Sequence, residues 1–285
     1  MRDQMQVLIA GLSDLGWIVG RNLALDSVWA EQHYERFPQL ARDLVSRNVD
    51  LIIVLAGTTA AQAAKAATSR IPILVIGVAD PVKFGLVASL NRPGGNLTGL
   101  TQPLASWGKF LELAREAVPG ARRVAVIGNP TNVIYSDYVT ENETAARLLG
   151  LQLQVIPISS GEELPAAFGA MKSARAEVLV YGPDSVFLNN AGQIMALARD
   201  ARLPVIGPNR HAAELGALAT FSADYAALFR QAAVYADKLL RGAKPAEMAM
   251  AQPDRYDLIV NLRTARLLGI TVPPAVVVRA SEVIE

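Results

Sequence analysis

Short apolar runs alternate with stretches of helical spacing from one end of the chain to the other. Strands that each alternate with a helix cannot pair through tight hairpins, so they form a parallel sheet reached by crossovers, with helices on both faces. Met5, Leu8, Ile9, Leu12 and Leu15 recur at intervals of one to four, mostly three and four, which predicts an amphipathic helix closed by Gly16. A strand over 22–29 follows, carried by Leu23, Leu25 and Val28, then a helix over 34–47 and the apolar run 49–55. Next come an alanine-rich helix over 59–68, a strand over 71–78, a short helix over 81–90, a turn at Pro93-Gly94-Gly95 and a strand near 97–101.

After a helix over 104–117 and the breaker Pro119-Gly120, the same beat restarts. It runs strand 123–127, helix 136–149 capped by Gly150, strand 151–156, helix 162–173, strand 177–180, helix 189–201 and strand 204–206. A chain of 285 residues is long enough to bury two cores. The expected fold class is therefore α/β, with two doubly wound parallel-sheet lobes joined by a hinge. Beyond Ala217 an apolar strand reaches Ser222, a long helix covers 225–240, and a link at 242–245 leads to a strand over 256–260 and a helix over 262–268. If these late elements complete the earlier sheets, lobe 1 comprises 1–103 plus about 222–245 and lobe 2 comprises 104–221 plus about 246–285.

Composition narrows the partners. Lys and Arg number 27 against 26 Asp and Glu, so no strong field gathers nucleic acid or an acidic membrane. Without Cys there is no disulfide, thiolate metal site or cysteine nucleophile, and two His, His33 and His211, make no His-rich metal site. No stretch approaches the roughly 20 apolar residues of a membrane span. Met1 to Trp17 carries Asp3, Gln4 and Gln6 and lacks a basic region and a long apolar core, so it does not read as a signal peptide. Dinucleotide, phosphate-loop and nucleophile-elbow motifs are absent, and neither a catalytic set, a cofactor site nor a metal site is expected. His211, beside Arg210 and near Glu214, reads as a solvated or capping residue.

In open parallel sheets, ligands bind outside the carboxyl ends of the strands, where loops and helix N-termini present unpaired N–H groups. Gly57-Thr58-Thr59, just after the run ending at Leu55, offers two hydroxyls that suit a carboxylate or phosphate, and equally suit an ordinary helix cap. Asp80 after Val78 suits an ammonium, while Asp followed by Pro is also a standard helix start. In the second series Asn129 follows Ile127, Tyr181 and Asp184 follow Val180, and Asn209 follows Ile206, each beside a Pro. Tyr135, Tyr181 and Phe187 are the aromatic candidates, with simple core packing as the bland reading of each.

Several segments together resemble a known family. They include Ala79-Asp80-Pro81-Val82, the long run from Leu86 through Arg92-Pro93-Gly94-Gly95 to Asn96-Leu97-Thr98-Gly99, Gly242-Ala243-Lys244-Pro245, and Leu258-Ile259-Val260-Asn261-Leu262 with Val272-Pro273-Pro274. These are similar to the ABC transporter substrate-binding proteins of the tryptophan/tyrosine-binding type. The resemblance implies a type I periplasmic-binding-protein fold and a small-molecule ligand, an aromatic or other amino acid, held in the cleft between lobes. It also implies a membrane ABC permease as partner and a periplasmic or extracytoplasmic location. By position, Thr58, Thr59 and Asp80 would contact ligand from lobe 1, and Asn129, Tyr181 and Asp184 from lobe 2. Relatives begin with an export signal and a strand ahead of the first helix here, so a first lobe lacking that interior strand is expected. Two other functions remain open at this level: an intracellular ligand-sensing module related to repressor effector domains, and an α/β enzyme on the same fold.

Overall fold

The structure, a computed structural model, describes residues 2–55, 57–102 and 107–285, with side chains described from residue 5. The chain divides into two compact units, Met1–Pro103 with Ala223–Arg255 and Leu104–Ser222 with Tyr256–Glu285.

Unit 1 is built on a three-stranded parallel sheet in the order β1-β2-β3, with β1 at Ile52–Val54, β2 at Ile73–Val78 and β3 at Leu97–Thr101. The period of two along β2 decides what each face buries. Ile73 and Val75 pack with Phe37, Leu44, Ala61 and Ala64 from α2 (Phe37–Ser46) and α3 (Gly57–Ala67). Leu74 and Ile76 pack with Leu8 and Leu12 of α1 (Arg2–Asp14) and Leu228, Phe229 and Ala232 of α10 (Tyr225–Leu240). Each such side chain taken fully from water contributes about 1.5–3 kcal/mol. Gly99 is the position least open to change: it holds φ +144°, and a Cβ there would lie 2.1 Å from the Val75 carbonyl oxygen. The segment after α10 also belongs to this unit. Thr98 Oγ1 donates to Met248 O at 2.7 Å, Met250 N to Leu90 O at 2.7 Å and Ala251 N to Gly99 O at 3.0 Å.

Two sequence expectations for unit 1 are corrected. Residues 22–29 form no strand; a single bridge pairs Val19 with Leu23, and Leu25 and Trp29 stay 41% and 44% exposed. Alternation supplies a strand's face, but a strand also needs a ladder, and none of the three strands pairs with this stretch. Residues 81–90 form turns, not a helix. Asp80 Oδ1 accepts from Lys83 N at 3.0 Å as a cap should, but Gly85 turns to φ +66° and both Leu86 N and Val87 N donate to Pro81 O.

Unit 2 carries a seven-stranded sheet in the order β10-β9-β8-β7-β6-β4-β5. Its strands are β4 (Arg123–Gly128), β5 (Gln152–Pro157), β6 (Val178–Tyr181), β7 (Val205–Gly207), β8 (Ala219–Ala223), β9 (Tyr256–Asn261) and β10 (Glu282–Ile284). Val124, Val126, Val178 and Val180 face α4 (Gly108–Ala117), α5 (Tyr135–Leu149), α11 (Leu262–Leu268) and α12 (Pro274–Arg279). Ala125, Ile127, Leu179 and Tyr181 face α6 (Leu164–Ser173) and α8 (Ala191–Asp200) on the other side. The helix expected over 189–201 is α8, preceded by a separate short helix, α7 (Ser185–Asn189), whose N-cap is Asp184. Another short helix, α9 (Arg210–Leu215), is capped by Asn209. The first strand of the unit, β4, has β5 on one side and β6 on the other, so the chain winds away from β4 in both directions. That reversal opens a crevice beyond the carboxyl ends of β4 and β6.

Candidate functional site

The crevice of unit 2 holds a pocket of about 310 Å³, open to solvent. Gly128 and Asn129 reach it from the end of β4, Asn132, Ile134, Tyr135 and Tyr138 from the start of α5, and Gly182, Pro183, Asp184 and Phe187 from the β6–α7 turn. Trp107, just ahead of α4, completes the lining.

Local chemistry places each of these. Asn129 closes an Asx-turn: its Oδ1 accepts from Thr131 N at 3.0 Å and Thr131 Oγ1 at 2.7 Å, leaving the amide Nδ2 to donate to Asp184 Oδ1 at 3.2 Å. Asn132 Nδ2 donates to Asp184 Oδ2 at 2.9 Å, and Val186 N to Oδ1 at 2.9 Å as the cap of α7. Asp184 is therefore a carboxylate only 9% exposed, fixed by two side-chain amides and a backbone N–H. None of these three donors carries a positive charge.

The aromatic wall depends on two glycines. A Cβ on Gly128 would stand 2.8 Å from Tyr135 Cε2 and 3.2 Å from Tyr138 Cε1, and one on Gly182 would stand 3.2 Å from Tyr138 Cε2. Both rings therefore lie directly against the backbone at the two strand ends. Trp107 meets Tyr138 edge to face, with centroids 5.1 Å apart and planes at 76°. Apolar walls beside one fixed carboxylate suit a ligand with an aromatic or aliphatic body and a cationic group.

Of the second-lobe residues named from sequence, the structure brings Asn129, Tyr135 and Asp184 together here, with Phe187 beside them. Tyr181 instead lies wholly in the core under α6 and α8, edge to face with Phe187 at 6.1 Å, and burial pushes its phenol pKa up. Asn209 spends its Oδ1 on Ala212 N at 3.0 Å and does not line the pocket. In unit 1, Thr58 is buried and its hydroxyl ties α3 to the end of β2, accepting from Ala79 N at 3.0 Å and donating to Ala79 O at 3.4 Å. Thr59 is half-buried beside it, and Asp80 holds the turn after β2. His211 is exposed, its side chain 64% accessible. Sequence reasoning missed Trp107, Asn132 and Tyr138. Tyr138 was legible as the residue three beyond Tyr135 on one helix face, whereas Trp107 precedes the second series altogether.

The sequence model of the family described as ABC transporter substrate binding proteins matches residues 1–284. The chain belongs to this family. A curated relative, a tyrosine-binding protein of Clostridioides difficile strain R20291, is 30% identical over 260 residues, covering 91% of this chain and 74% of its own length. A solved structure of a conserved domain protein from Vibrio cholerae O1 biovar El Tor superposes with TM-score 0.91 at 29% identity, over 98% of this chain and 94% of that one. The ABC domain from Streptococcus pneumoniae, solved in complex with L-Trp, gives TM-score 0.87 over 99% and 96% of the two chains; at 22% identity it speaks for the fold alone. That fold is the type I periplasmic-binding-protein fold expected from the sequence. The family is one of substrate-binding proteins, not enzymes, and among the described residues no helix is long and apolar enough to cross a membrane.

Proposed function

We propose that the chain is the solute-binding component of an ABC-type import system working outside the cytoplasm, and that its solute is an aromatic amino acid. Asp184 takes the α-ammonium, and the walls formed by Trp107, Tyr135 and Phe187 take the apolar body. The observation that carries this reading is one buried, amide-fixed carboxylate inside an aromatic-walled pocket at the switch point of a parallel sheet. Family membership supports delivery to a membrane permease, and the tyrosine-binding relative supports the ligand class. Thr58, Thr59 and Asp80, at strand ends of unit 1, are proposed as its contribution to binding, with Asn129 and Tyr135 supporting Asp184 in unit 2; Tyr181 and Asn209 act at one remove, through packing and capping.

Titration calorimetry with L-tyrosine, L-tryptophan and L-phenylalanine tests this directly. Saturable binding of at least one, accompanied by a rise in melting temperature, is expected, since a ligand bound only by the folded state stabilises it. Binding of none of the three would overturn the reading.

A further inference from the structure

The two oxygens of Asp184 are held for different ends. Val186 N donates to Oδ1 at 2.9 Å as the cap of α7, and Asn129 Nδ2 reaches the same oxygen at 3.2 Å. Oδ2 accepts instead from Asn132 Nδ2, at 2.9 Å. Capping needs only the first oxygen, because one acceptor satisfies the N–H of a helix start. The bond to Oδ2 therefore acts on the carboxylate and not on the cap. The terminal torsion of an aspartate is broad, so a group held by one oxygen can rotate about its Cβ–Cγ bond, and a grip on the second oxygen fixes its plane.

Asn132 is itself firmly placed. It stands 52 residues from Asp184 in sequence, in the turn between β4 and α5. There its N–H donates to Asn129 O at 3.1 Å, its carbonyl accepts from Tyr135 N at 2.9 Å, and its Oδ1 accepts from Ile134 N at 3.3 Å. The residue is half-buried and lines the pocket beside the carboxylate it holds. An amide donating from that place orients the negative charge without cancelling it, whereas Lys or Arg there would neutralise the charge and compete with a cationic ligand.

We propose that Asn132 is a positioning residue for ligand binding: through Oδ2 it sets the plane in which Asp184 meets the ammonium group of the ligand. This rests on the reading of Asp184 given above. A carboxylate ordered in advance removes a cost that binding would otherwise carry.

Asn132→Ser separates this role from the turn, since a hydroxyl can still accept from Ile134 N but is one atom too short to reach Oδ2. The experiment is a double-mutant cycle with Asp184→Asn, titrated calorimetrically with L-tyrosine, L-tryptophan and, for weakened sites, the more soluble L-phenylalanine. With Asp184 present, Asn132→Ser is expected to weaken binding about tenfold; in the Asp184→Asn background the further loss should stay below about twofold, because no charge is left to orient. If Asp184→Asn binds too weakly to titrate, Asn132→Gln decides: the same amide on a longer side chain should bind at least about threefold more tightly than Asn132→Ser. Equal losses in both backgrounds would make Asn132 an independent or merely structural residue and overturn the inference. So would unchanged binding by Asn132→Ser, loss of its cooperative melt, or, where the cycle cannot be closed, Asn132→Gln no better than Asn132→Ser. Failure of the wild type to bind any of the three amino acids, or full affinity in Asp184→Asn, is a different outcome, removing the functional reading and this inference with it.

Discussion

Gly128→Ala tests whether the aromatic wall rests on missing side chains. The added Cβ would meet Tyr135 Cε2 at 2.8 Å and Tyr138 Cε1 at 3.2 Å. Real Cβ atoms do not approach within 2.8 Å, so at least the Tyr135 ring must move. Tyr135 is half-buried and can swing outward, but Tyr138 is held against Trp107 and Gly182. Overpacking of this kind costs about 1–3 kcal/mol. Gly128 sits at a φ open to any residue, so alanine also returns about 0.4–1 kcal/mol by restricting the unfolded chain. At the midpoints of these two ranges the net destabilisation is about 1.3 kcal/mol, a fall of about 3–5 °C in melting temperature for a unit of this size. Calorimetric melts of the variant should show that fall, together with weakened binding of L-tyrosine. The control is Gly169→Ala, in the exposed interior of α6 with nothing within 4 Å of the new Cβ, which should raise stability by up to about 1 kcal/mol. A Gly128→Ala protein that melts at or above wild type and binds as before would refute the close-packing argument.

Asp184→Asn should weaken amino-acid binding by about 10- to 150-fold, corresponding to about 1.5–3 kcal/mol for a hydrogen bond to a charged group, as read by titration calorimetry. It should also lower ligand-free stability slightly, because an amide can cap α7 but cannot accept from both Asn129 and Asn132; unchanged affinity would contradict the assignment. Gly99→Ala is expected to prevent unit 1 from folding, seen as loss of its melting transition, since the Cβ would collide with the backbone of β2 at a φ alanine rarely adopts. The carboxylate of Glu177 accepts from Arg122 N at 2.7 Å and Arg123 N at 2.9 Å, and these bonds hold its pKa below the ordinary 4.5. A depressed carboxylate pKa contributes stability that is present above pH 4.5 and is lost as pH falls through the folded value, so Glu177→Gln should flatten the fall of melting temperature between about pH 5 and 3. An acid limb unaltered by the substitution would rule that contribution out.

The two βα series were legible because most strands are buried on both faces and read as continuous apolar runs, as at 73–78 and 123–128. What misled was local pattern without its partner. Leu23, Leu25 and Val28 alternate as a strand would, yet pairing is a property of a neighbour that local sequence does not display. Asp80-Pro81 carries a sound helix-start signal, and the structure uses it for a single turn before Gly85 redirects the chain. Within the site, strand-end logic found Asn129 and Asp184, since a polar residue beyond a parallel strand lies at the sheet's open edge. The same logic also chose Tyr181, one residue too early: it is the last residue of β6, and its side chain follows the strand's alternation into the core. Tyr138 was open to discovery only as the neighbour of Tyr135 one turn further along the helix, because an aromatic residue in mid-helix is ordinarily core, and its ring does pack against Trp107.

The way unit 1 is assembled governs when it can fold. Its sheet and first helix are made early, but α1 buries Leu8 and Leu12 against α10, Trp17 Nε1 donates to Asp237 across 220 residues of sequence, and β3 is bound by residues 248–251. Until α10 has been made, the face of this sheet carrying Leu74 and Ile76 lacks its main cover, and β3 lacks its partner until residue 251, so the unit begun first cannot close until most of the second has been synthesised. Unit 2 needs its own late strand, β9, but its central strands and flanking helices are contiguous from residue 107 to 222. A chain stopped after Ser222 would carry the central strands of the second unit, without β9, β10, α11 and α12, attached to a first that cannot close, with the apolar residues Leu74, Ile76 and Leu100 open to a chaperone or a protease.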